Sequence, residues 1–497
     1  MKQISEQGFL WGAIALWGTV FFAYASLRHF LLRSTGYDLG IFDHILYRLS
    51  TDQPPLEIFN DIHNPHHFLT DHFAWILYLI AGLYRLYPTV YWLFFLQAFG
   101  LALAAWPLWG ILQHHTLPER VQKAIIWVYL LYPLIFNKNI FDFHTDAFAP
   151  LLLFGAILAV YRNQPLRFGG AILLLCGCKE IFALTVVGLG LWLCLGLKRY
   201  RYGLAAVCFG IGYFWLASQV FVPLFGKASL TAMGRYGSLG GSMAEIIQNL
   251  VFKPGLLAAH LFTFANAKYL VMLLLPIAWV LWPPVLMPQQ SSWKTSLITL
   301  SPFLGAAPPL LLNLLTTFEG QKNLTNHHSL TIVPFLLMIV ILALAQQRPG
   351  LPSGLKPGAR FALPHPRWIV AWSLVGFMLL AKPGYLVGRF VEGLETWSAS
   401  REAIALIDPQ SPVLVPMQIA PHLTHRLKVG LTTDLYLNED LRDYKYVLID
   451  LVYPGIHTPV EVAETFQARV EADPRFELAF ERDRVYLYVQ PEFVNQT

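Results

Sequence analysis

Long apolar stretches alternate with short polar segments from residue 8 to residue 385 of the chain. A bilayer core is about 30 Å thick, so a helix that crosses it needs about 20 apolar residues, with about 17 as a lower limit. On this criterion we predict about eleven membrane spans, the first of them uncleaved because its apolar run is longer than that of a signal peptide. The predicted spans are residues 8–31, 89–113, 121–137, 147–161, 168–180, 181–197, 203–225, 269–286, 295–316, 329–347 and 367–385.

One further apolar stretch, residues 72–87, is short and contains Arg85. We interpret it as a juxtamembrane helix on the outer surface. With this stretch left out of the count, the basic loops fall on one side, which the positive-inside rule assigns to the cytoplasm. The N-terminus is then cytoplasmic and the protein lies in a cell (plasma or inner) membrane. The basic residues concerned are Arg120, Lys123, Arg162, Arg167, Lys198, Arg199, Arg201, Arg348, Lys356, Arg360 and Arg367.

Beyond residue 390 the pattern changes to short alternating segments typical of strands, with one helical segment. We predict a small soluble α/β domain over residues 391–497 on the extracytoplasmic side, after an all-α polytopic membrane domain over residues 1–390. His422 and His425 could be functional, but ordinary surface histidines are the simpler interpretation. The predicted elements are strands at Ser411–Met417, Tyr446–Val452, Glu477–Glu481 and Val485–Gln490, a tight Arg482-Asp483 turn, and a helix at Val460–Ala472.

Composition supports a membrane protein. Of the 497 residues, 56% are hydrophobic and only 13% are charged, which is too few charges to cover the surface of a soluble fold of this size. The net charge of +5 is spread over short loops and does not indicate nucleic-acid binding. The four cysteines lie within apolar stretches and are predicted to be buried thiols: Cys176, Cys178, Cys194 and Cys208.

With this topology, ionisable residues collect on the outer face, above all in a large first outer loop at 32–88. Charged groups at membrane depth are costly and usually face a cavity or each other, so we predict an aqueous site on this face. The residues concerned are Asp38, Asp43, His44, Asp61, His63, His66, His67, Asp71, His72, Asp142, His144, Asp146, Lys179, Glu180, His327 and His328.

Individual residues of this outer cluster allow alternatives. Asp38 could act in catalysis or merely cap the following helix. Asp43 lies a little more than one helical turn further on, so both carboxylates could face one pocket. Lys179 could clamp a phosphate as a point charge, or form a self-neutralising buried ion pair with Glu180.

The segment Asp142-Phe143-His144-Thr145-Asp146 contains two carboxylates and an imidazole. These groups could hold a divalent ion, although hydrogen bonding explains them equally well. We therefore predict no metal site and no cofactor, with a divalent metal as the lesser alternative.

The arrangement resembles the GT-C superfamily of membrane glycosyltransferases, which includes protein O-mannosyltransferases, aminoarabinose transferases and oligosaccharyltransferases. Its members share a first span, an outer loop that opens with an acidic residue, an acidic second outer loop and a later basic residue. Here Asp38, Asp142, Asp146 and Lys179 match. Three motifs more closely resemble an uncharacterised family of predicted bacterial and archaeal membrane proteins grouped with that superfamily, over roughly residues 8–385. These motifs are Tyr37-Asp38-Leu39-Gly40-Ile41-Phe42-Asp43, Asp142-Phe143-His144 and Lys179-Glu180.

The resemblance implies inverting transfer of a sugar from a polyprenyl-phosphate carrier to an extracytoplasmic acceptor of unknown identity. Asp38 would be the general base, with Asp43 as a second catalytic carboxylate, and Lys179 would bind the carrier phosphate. The chain lacks the Pro-Pro pair of some relatives, where it has His66-His67, and it lacks a clean Asp-x-Asp of the metal-dependent type. The remaining predicted substrate-binding residues are Glu180, Asp142, His144, Asp146, His66, His67, Asp71 and His327.

Two other classes of function stay open at this point. A transporter or flippase for a lipid-linked or polar substrate would also place ionisable residues in a membrane protein, although usually near the midplane. A non-catalytic envelope scaffold would use the outer domain to recruit partners. The position of Lys179 and Glu180 separates these functions, because an outer cavity beside Asp38 favours transfer and a midplane site favours transport.

Overall fold

The structure is a computed structural model that describes residues 2–59, 65–71, 73–226, 231–281, 293–346, 365–383, 388, 391–455 and 458–493. Asp61, His63 and His72 of the predicted outer cluster lie outside these residues. The helices are α1 (Lys2–Phe30), α2 (Ile41–Ser50), α3 (Ile76–Leu86), α4 (Tyr91–Leu103), α5 (Ala105–His114), α6 (Glu119–Leu130), α7 (Pro133–Ile140), α8 (Ala149–Tyr161), α9 (Pro165–Cys178), α10 (Phe182–Leu195), α11 (Tyr200–Leu216), α12 (Val222–Leu224), α13 (Met243–Phe252), α14 (Pro254–Leu261), α15 (Phe264–Leu274), α16 (Trp293–Leu300), α17 (Phe303–Leu315), α18 (Val333–Gln346), α19 (Pro366–Leu380), α20 (Leu394–Ala405) and α21 (Val460–Glu471).

Fewer helices meet the length of a membrane span than the sequence predicts. Four are long and apolar enough, at Glu6–Phe30, Tyr91–His114, Tyr200–Leu224 and His327–Gln346, and a fifth arises if a pair bent by 55° counts as one span. That pair consists of Pro254–Leu261 and Phe264–Val280. The predicted number of eleven spans is therefore not confirmed among the described residues.

Several other predicted spans form shorter apolar helices. The stretch predicted as 121–137 divides into α6 and α7, because Pro133 has no N–H to continue the first helix and instead begins the second. The stretch 72–87 forms only the 11-residue α3. Helices α13 and α14 lie between predicted spans, where the sequence analysis placed none.

The helical part exposes large apolar side chains on its surface. Leu204, Ile211 and Trp215 of α11 are all more than half exposed, and so are Met378 and Leu379 of α19. Large apolar side chains exposed along whole helices are unfavourable in water, and in a membrane they contact lipid tails. The helical part is therefore built to be covered by a bilayer.

A mixed five-stranded sheet forms the core of the C-terminal part. The strand order is β4-β3-β5-β7-β6, in which β3 pairs in parallel with β4 and β5 while β7 pairs antiparallel with β5 and β6. Helices α20 and α21 supply buried residues to the same core. The strands of the structure are β1 (Leu56–Glu57), β2 (His66–His67), β3 (Val413–Val415), β4 (Val429–Leu431), β5 (Tyr446–Asp450), β6 (Glu477–Arg482) and β7 (Val485–Val489).

The sequence located four of these C-terminal strands and the helix α21, but it missed β4. That strand has only three residues and a central glycine, which weakens its strand signal. The predicted turn is shifted by one residue. Arg482 pairs with Val485, so the two turn residues are Asp483 and Arg484, both with positive φ as a tight hairpin requires.

The C-terminal sheet domain is docked on the first outer loop. Ile58 and Phe59 of that loop belong to the buried core of the sheet domain, and the Tyr436 hydroxyl donates to both of their carbonyl oxygens. The Gly36 N–H donates to the Met417 carbonyl oxygen at 2.9 Å. The first loop thus contacts the sheet domain at Gly36 and at the Ile58-Phe59 segment. The domain boundary at residue 390 itself remains a prediction.

A buried carboxylate lies at the centre of this docking surface. Asp43 accepts a hydrogen bond from the Tyr84 hydroxyl at 2.6 Å and from the Thr424 hydroxyl, and its Oδ2 lies 3.2 Å from His425 Nε2. Burial raises the pKa of Asp43, but the charge and hydrogen bonds of these partners lower it by more, so it lies below its ordinary value. Burial lowers the pKa of His425, but the Asp43 carboxylate raises it by more.

We expect docking of the sheet domain to weaken as pH rises. Since the pKa of His425 is raised, its contribution to stability is complete below about pH 6.5 and is lost as pH rises through the raised pKa. The contribution is below about 1 kcal/mol, because 34% of the His425 side chain is exposed. Neighbouring His44 has a pKa of about 4 and stays neutral in this range.

The measurement is the melting temperature of the purified protein between pH 6 and pH 9, for the wild type and for His425→Gln. The wild type should lose stability relative to the variant as pH rises. Melting temperatures of the two proteins that change with pH in parallel would contradict a stabilising role for protonated His425.

Candidate functional site

The site begins at Asp142, in the loop that follows α7. Its carboxylate receives two hydrogen bonds from Arg28 near the end of α1, at 2.5 and 3.3 Å. It also accepts from the N–H and the hydroxyl of Thr35, at 2.9 and 2.7 Å. With these donors the buried carboxylate is fully engaged within the protein, and it fixes the backbone three residues before Asp38.

Asp38 lies in a single wide helical turn, Gly36–Gly40, at the start of the first outer loop. Its Oδ1 is 3.2 Å from His144 Nε2, and 29% of its side chain is exposed. Burial raises the pKa of Asp38, but the hydrogen bond and charge of His144 and the charges of Lys138 and Arg28 lower it by more, so the pKa lies below its ordinary value. Asp38 is therefore ionised at neutral pH, and part of its side chain is open to solvent.

The orientation of His144 is set by Lys138, a fully buried lysine on α7. The Lys138 ammonium lies 2.5 Å from the Asp142 carbonyl oxygen and 2.9 Å from His144 Nδ1. Because an ammonium only donates, Nδ1 accepts and the imidazole proton resides on Nε2, facing Asp38. The Gln97 side-chain oxygen accepts from the His144 N–H at 3.1 Å and fixes the backbone.

A row of three stacked imidazoles leads from Asp38 towards two further cations. The His144 ring stacks on His327 with centroids 4.1 Å apart, and His327 stacks on His328 at 4.0 Å. His327 Nε2 is 3.3 Å from Lys179 Nζ, and His328 Nε2 is 3.0 Å from Arg235 Nη1. Lys179 therefore lies beside the middle ring of the row, and Arg235 lies at the end of the row far from Asp38.

Lys179 and Arg235 line a cavity that also has apolar lining residues. Lys179 follows directly after α9, and its ammonium is 3.5 Å from Asp146 Oδ2. The charged and polar lining residues include Asp146, Lys179, Glu180, Arg235 and His328, while Phe182, Pro309 and Leu312 contribute apolar surface. Such a cavity can accept an anionic head group together with the first part of an apolar chain.

Other predicted site residues have other partners. Glu180 also lines the cavity, but its carboxylate accepts from the Phe73 N–H at 2.9 Å and so holds the segment that leads into α3, rather than forming the ion pair with Lys179 that was one alternative. Asp43 faces the sheet domain, not Asp38. His67 stacks on Phe225 with centroids 4.3 Å apart. His66 and Asp71 form a separate cluster with Glu57, the only group of donors in the described residues placed to share a metal ion.

Arg28, Lys138 and Arg235 were not predicted from the sequence as site residues. A signal existed for Lys138, because a lysine within an apolar helical segment is uncommon unless it has partners. Arg28 resembled an ordinary basic residue at the end of a span. Arg235 lies in a segment for which no element was predicted, and only the fold brings it to the cavity.

Structural comparison finds the same fold in ArnT from Cupriavidus metallidurans. With ArnT solved with bound undecaprenyl phosphate, the TM-score is 0.54 at 12% identity, over 98% of both chains. With its apo state, the TM-score is 0.51 at 11% identity, over 97% of this chain and 98% of that chain. At such identity the likeness shows the fold, and it confirms the GT-C-like architecture expected from the sequence.

A weaker similarity is to the archaeal oligosaccharyltransferase AglB from Archaeoglobus fulgidus, solved with an inhibitory peptide and a dolichol-phosphate. Its TM-score is 0.38 at 11% identity, over 96% of this chain and 74% of that chain.

No curated protein sequence matches the chain. A family model described as "Predicted membrane protein (DUF2079)" matches residues 28–485, which cover the helices after α1, the site and most of the sheet domain. The chain therefore belongs to the DUF2079 family of membrane proteins, and its fold is GT-C-like.

Proposed function

We propose that this protein transfers a sugar from a polyprenyl-phosphate carrier to an acceptor hydroxyl on the extracytoplasmic side. The observation that carries the proposal is that an ionised, partly exposed Asp38 is linked through His144 and His327 to a cavity lined by two cations and several apolar side chains. The bound undecaprenyl phosphate in ArnT supports a lipid-phosphate ligand for the same fold.

In this mechanism Asp38 is the general base. Its carboxylate accepts the proton of the acceptor hydroxyl while the acceptor oxygen attacks the anomeric carbon of the sugar. The bond between that carbon and the phosphate oxygen breaks, and the carrier leaves as polyprenyl phosphate. Attack from the face opposite the leaving group inverts the anomeric configuration.

Lys179 and Arg235 stabilise the negative charge that develops on the departing phosphate. Hydrogen bonds from ionised donors are stronger than neutral ones, and in a cavity with low exposure to water they count for more. Phe182, Pro309 and Leu312 contact the first isoprene units of the carrier. His144 and His327 lie between the base and the phosphate site.

The position of Lys179 supports transfer over transport. It lies at the junction of α9 and α10 and is connected to Asp38 through His327 and His144. A translocation site would be expected near the middle of the helices instead.

The first prediction concerns carrier binding. Lys179→Ala and Arg235→Ala should each weaken binding of undecaprenyl phosphate to the purified protein by about 10- to 100-fold, because each removes a charged hydrogen-bond donor. Asp38→Asn should bind like the wild type, and Lys253→Ala, at an exposed lysine, serves as the matched control. Saturable binding that none of these substitutions affects would contradict the assignment of the phosphate site.

The second prediction concerns the base. Asp38→Asn should lower the rate at which polyprenyl phosphate is released from lipid-linked sugars by at least about 100-fold, because the amide cannot accept the proton. The product is measured by mass spectrometry with membrane extracts as the source of donor and acceptor. Asp52→Asn, an exposed carboxylate of the same loop, should retain wild-type activity. Full activity in Asp38→Asn would exclude it as the base.

The third prediction concerns Lys138 as a positioning residue. Lys138→Met should leave carrier binding unchanged but lower the rate by about 10-fold or more, because His144 loses the donor that fixes its tautomer. It should also shift the acidic limb of the pH–rate profile upward, since the pKa of Asp38 loses a nearby positive charge. A variant with a lower rate and an unshifted profile would indicate a structural role only.

A further inference from the structure

A second group of ligand-type side chains lies in the first outer loop, apart from the site described above. Glu57 of β1 is paired in register with His66 of β2, and Asp71 follows the short helical turn Phe68–Thr70. His66 Nε2 is 2.8 Å from Asp71 Oδ2 and 3.8 Å from Glu57 Oε2. One donor atom from each of the three residues lies within 4.8 Å of the others.

We propose that Glu57, His66 and Asp71 bind a zinc ion that holds the first outer loop in shape. Zinc accepts imidazole nitrogen and carboxylate oxygen as ligands, and water or a further group would complete the tetrahedron. Donors bonded to zinc at about 2.0–2.2 Å are about 3.3–3.6 Å apart in that geometry. The distances of 2.8 and 3.8 Å bracket this value, so small side-chain movements suffice.

The charges of the group also favour a cation. Two carboxylates face a single imidazole, and the Glu57 side chain is only 2% exposed. A divalent ion between the donors would interact favourably with the negative charges of the two carboxylates. Calcium and magnesium prefer sets of oxygen ligands, so the imidazole nitrogen selects zinc over them.

Partial exposure gives the ion a path to the site. The side chains of His66 and Asp71 are 15% and 19% exposed, so solvent reaches the donors. His67, the adjacent imidazole, is differently engaged, because its Nδ1 accepts from the Leu69 N–H and its ring stacks on Phe225.

The location explains what the ion would stabilise. Strands β1 and β2 contribute two residues each, and so short a hairpin is not stable by itself. The residues directly after Glu57 are Ile58 and Phe59, which pack into the core of the sheet domain. A metal that closes this hairpin therefore fixes the surface on which the sheet domain docks. This inference does not depend on the proposed transferase activity.

The experiment measures zinc retained by the full-length protein in detergent. The protein is stripped with a chelator, loaded with zinc, desalted and analysed by elemental mass spectrometry. The wild type should retain about one zinc per chain and melt at a higher temperature with zinc than without it. Glu57→Gln and Asp71→Asn should each lower zinc affinity by at least about 10-fold. The control His67→Ala removes the neighbouring imidazole and should retain zinc like the wild type.

A second readout identifies the ligand directly and does not require the ligand-deficient variants to fold. His66→Cys loaded with Co²⁺ should show a thiolate-to-cobalt charge-transfer band that is absent from the wild type. Zinc retention by Glu57→Gln and Asp71→Asn equal to that of the wild type would overturn the proposal, as would a wild type that retains no zinc. Absence of the cobalt–thiolate band in monodisperse His66→Cys would also overturn it.

Discussion

The geometry of the candidate site depends on one buried carboxylate, that of Asp142. Its partners Arg28 and Thr35 come from the end of α1 and the start of the first loop, so a single side chain joins three parts of the chain. An ion pair of this kind is stabilising only while both partners are present. Removing one leaves an uncompensated buried charge, at a cost of about 3–5 kcal/mol. The Asp142 carbonyl also accepts from Lys138, so the position of Asp38 and the tautomer of His144 both depend on this segment.

The charged groups are arranged as a connected set at the ends of helices. Asp38, His144, His327 and Lys179 follow one another at contact distance, with the Asp38 carboxylate at one end and the Lys179 ammonium at the other. Burial among apolar helices strengthens each of these interactions and leaves few alternative arrangements. The sheet domain contacts the first loop through Met417 and the Asp43–His425 pair. Asp38 of the proposed catalytic site and Asp43 of the docking surface therefore lie close together in one loop.

Apolar periodicity was sufficient to predict a largely helical membrane protein and most strands of the C-terminal sheet. The predicted number of spans is not confirmed in the described residues, where apolar runs form helices shorter than a span and one run divides at Pro133. Short motifs selected Asp38, Asp142, His144 and Lys179, since charged residues among apolar segments stand out. Arg28, Lys138 and Arg235 were missed, because their importance arises from contacts with residues distant in sequence. Asp43 was expected beside Asp38, and only the docked sheet domain shows why its carboxylate has other partners.

The most direct test of the proposed function is an experimental structure of the protein with undecaprenyl phosphate, determined in a lipid nanodisc. The proposal predicts that the phosphate contacts Lys179 and Arg235, that the first isoprenes lie against Phe182 and Leu312, and that Asp38 faces the same cavity. A phosphate bound away from both cations, or a lipid bound at mid-depth among the helices, would contradict it and favour transport.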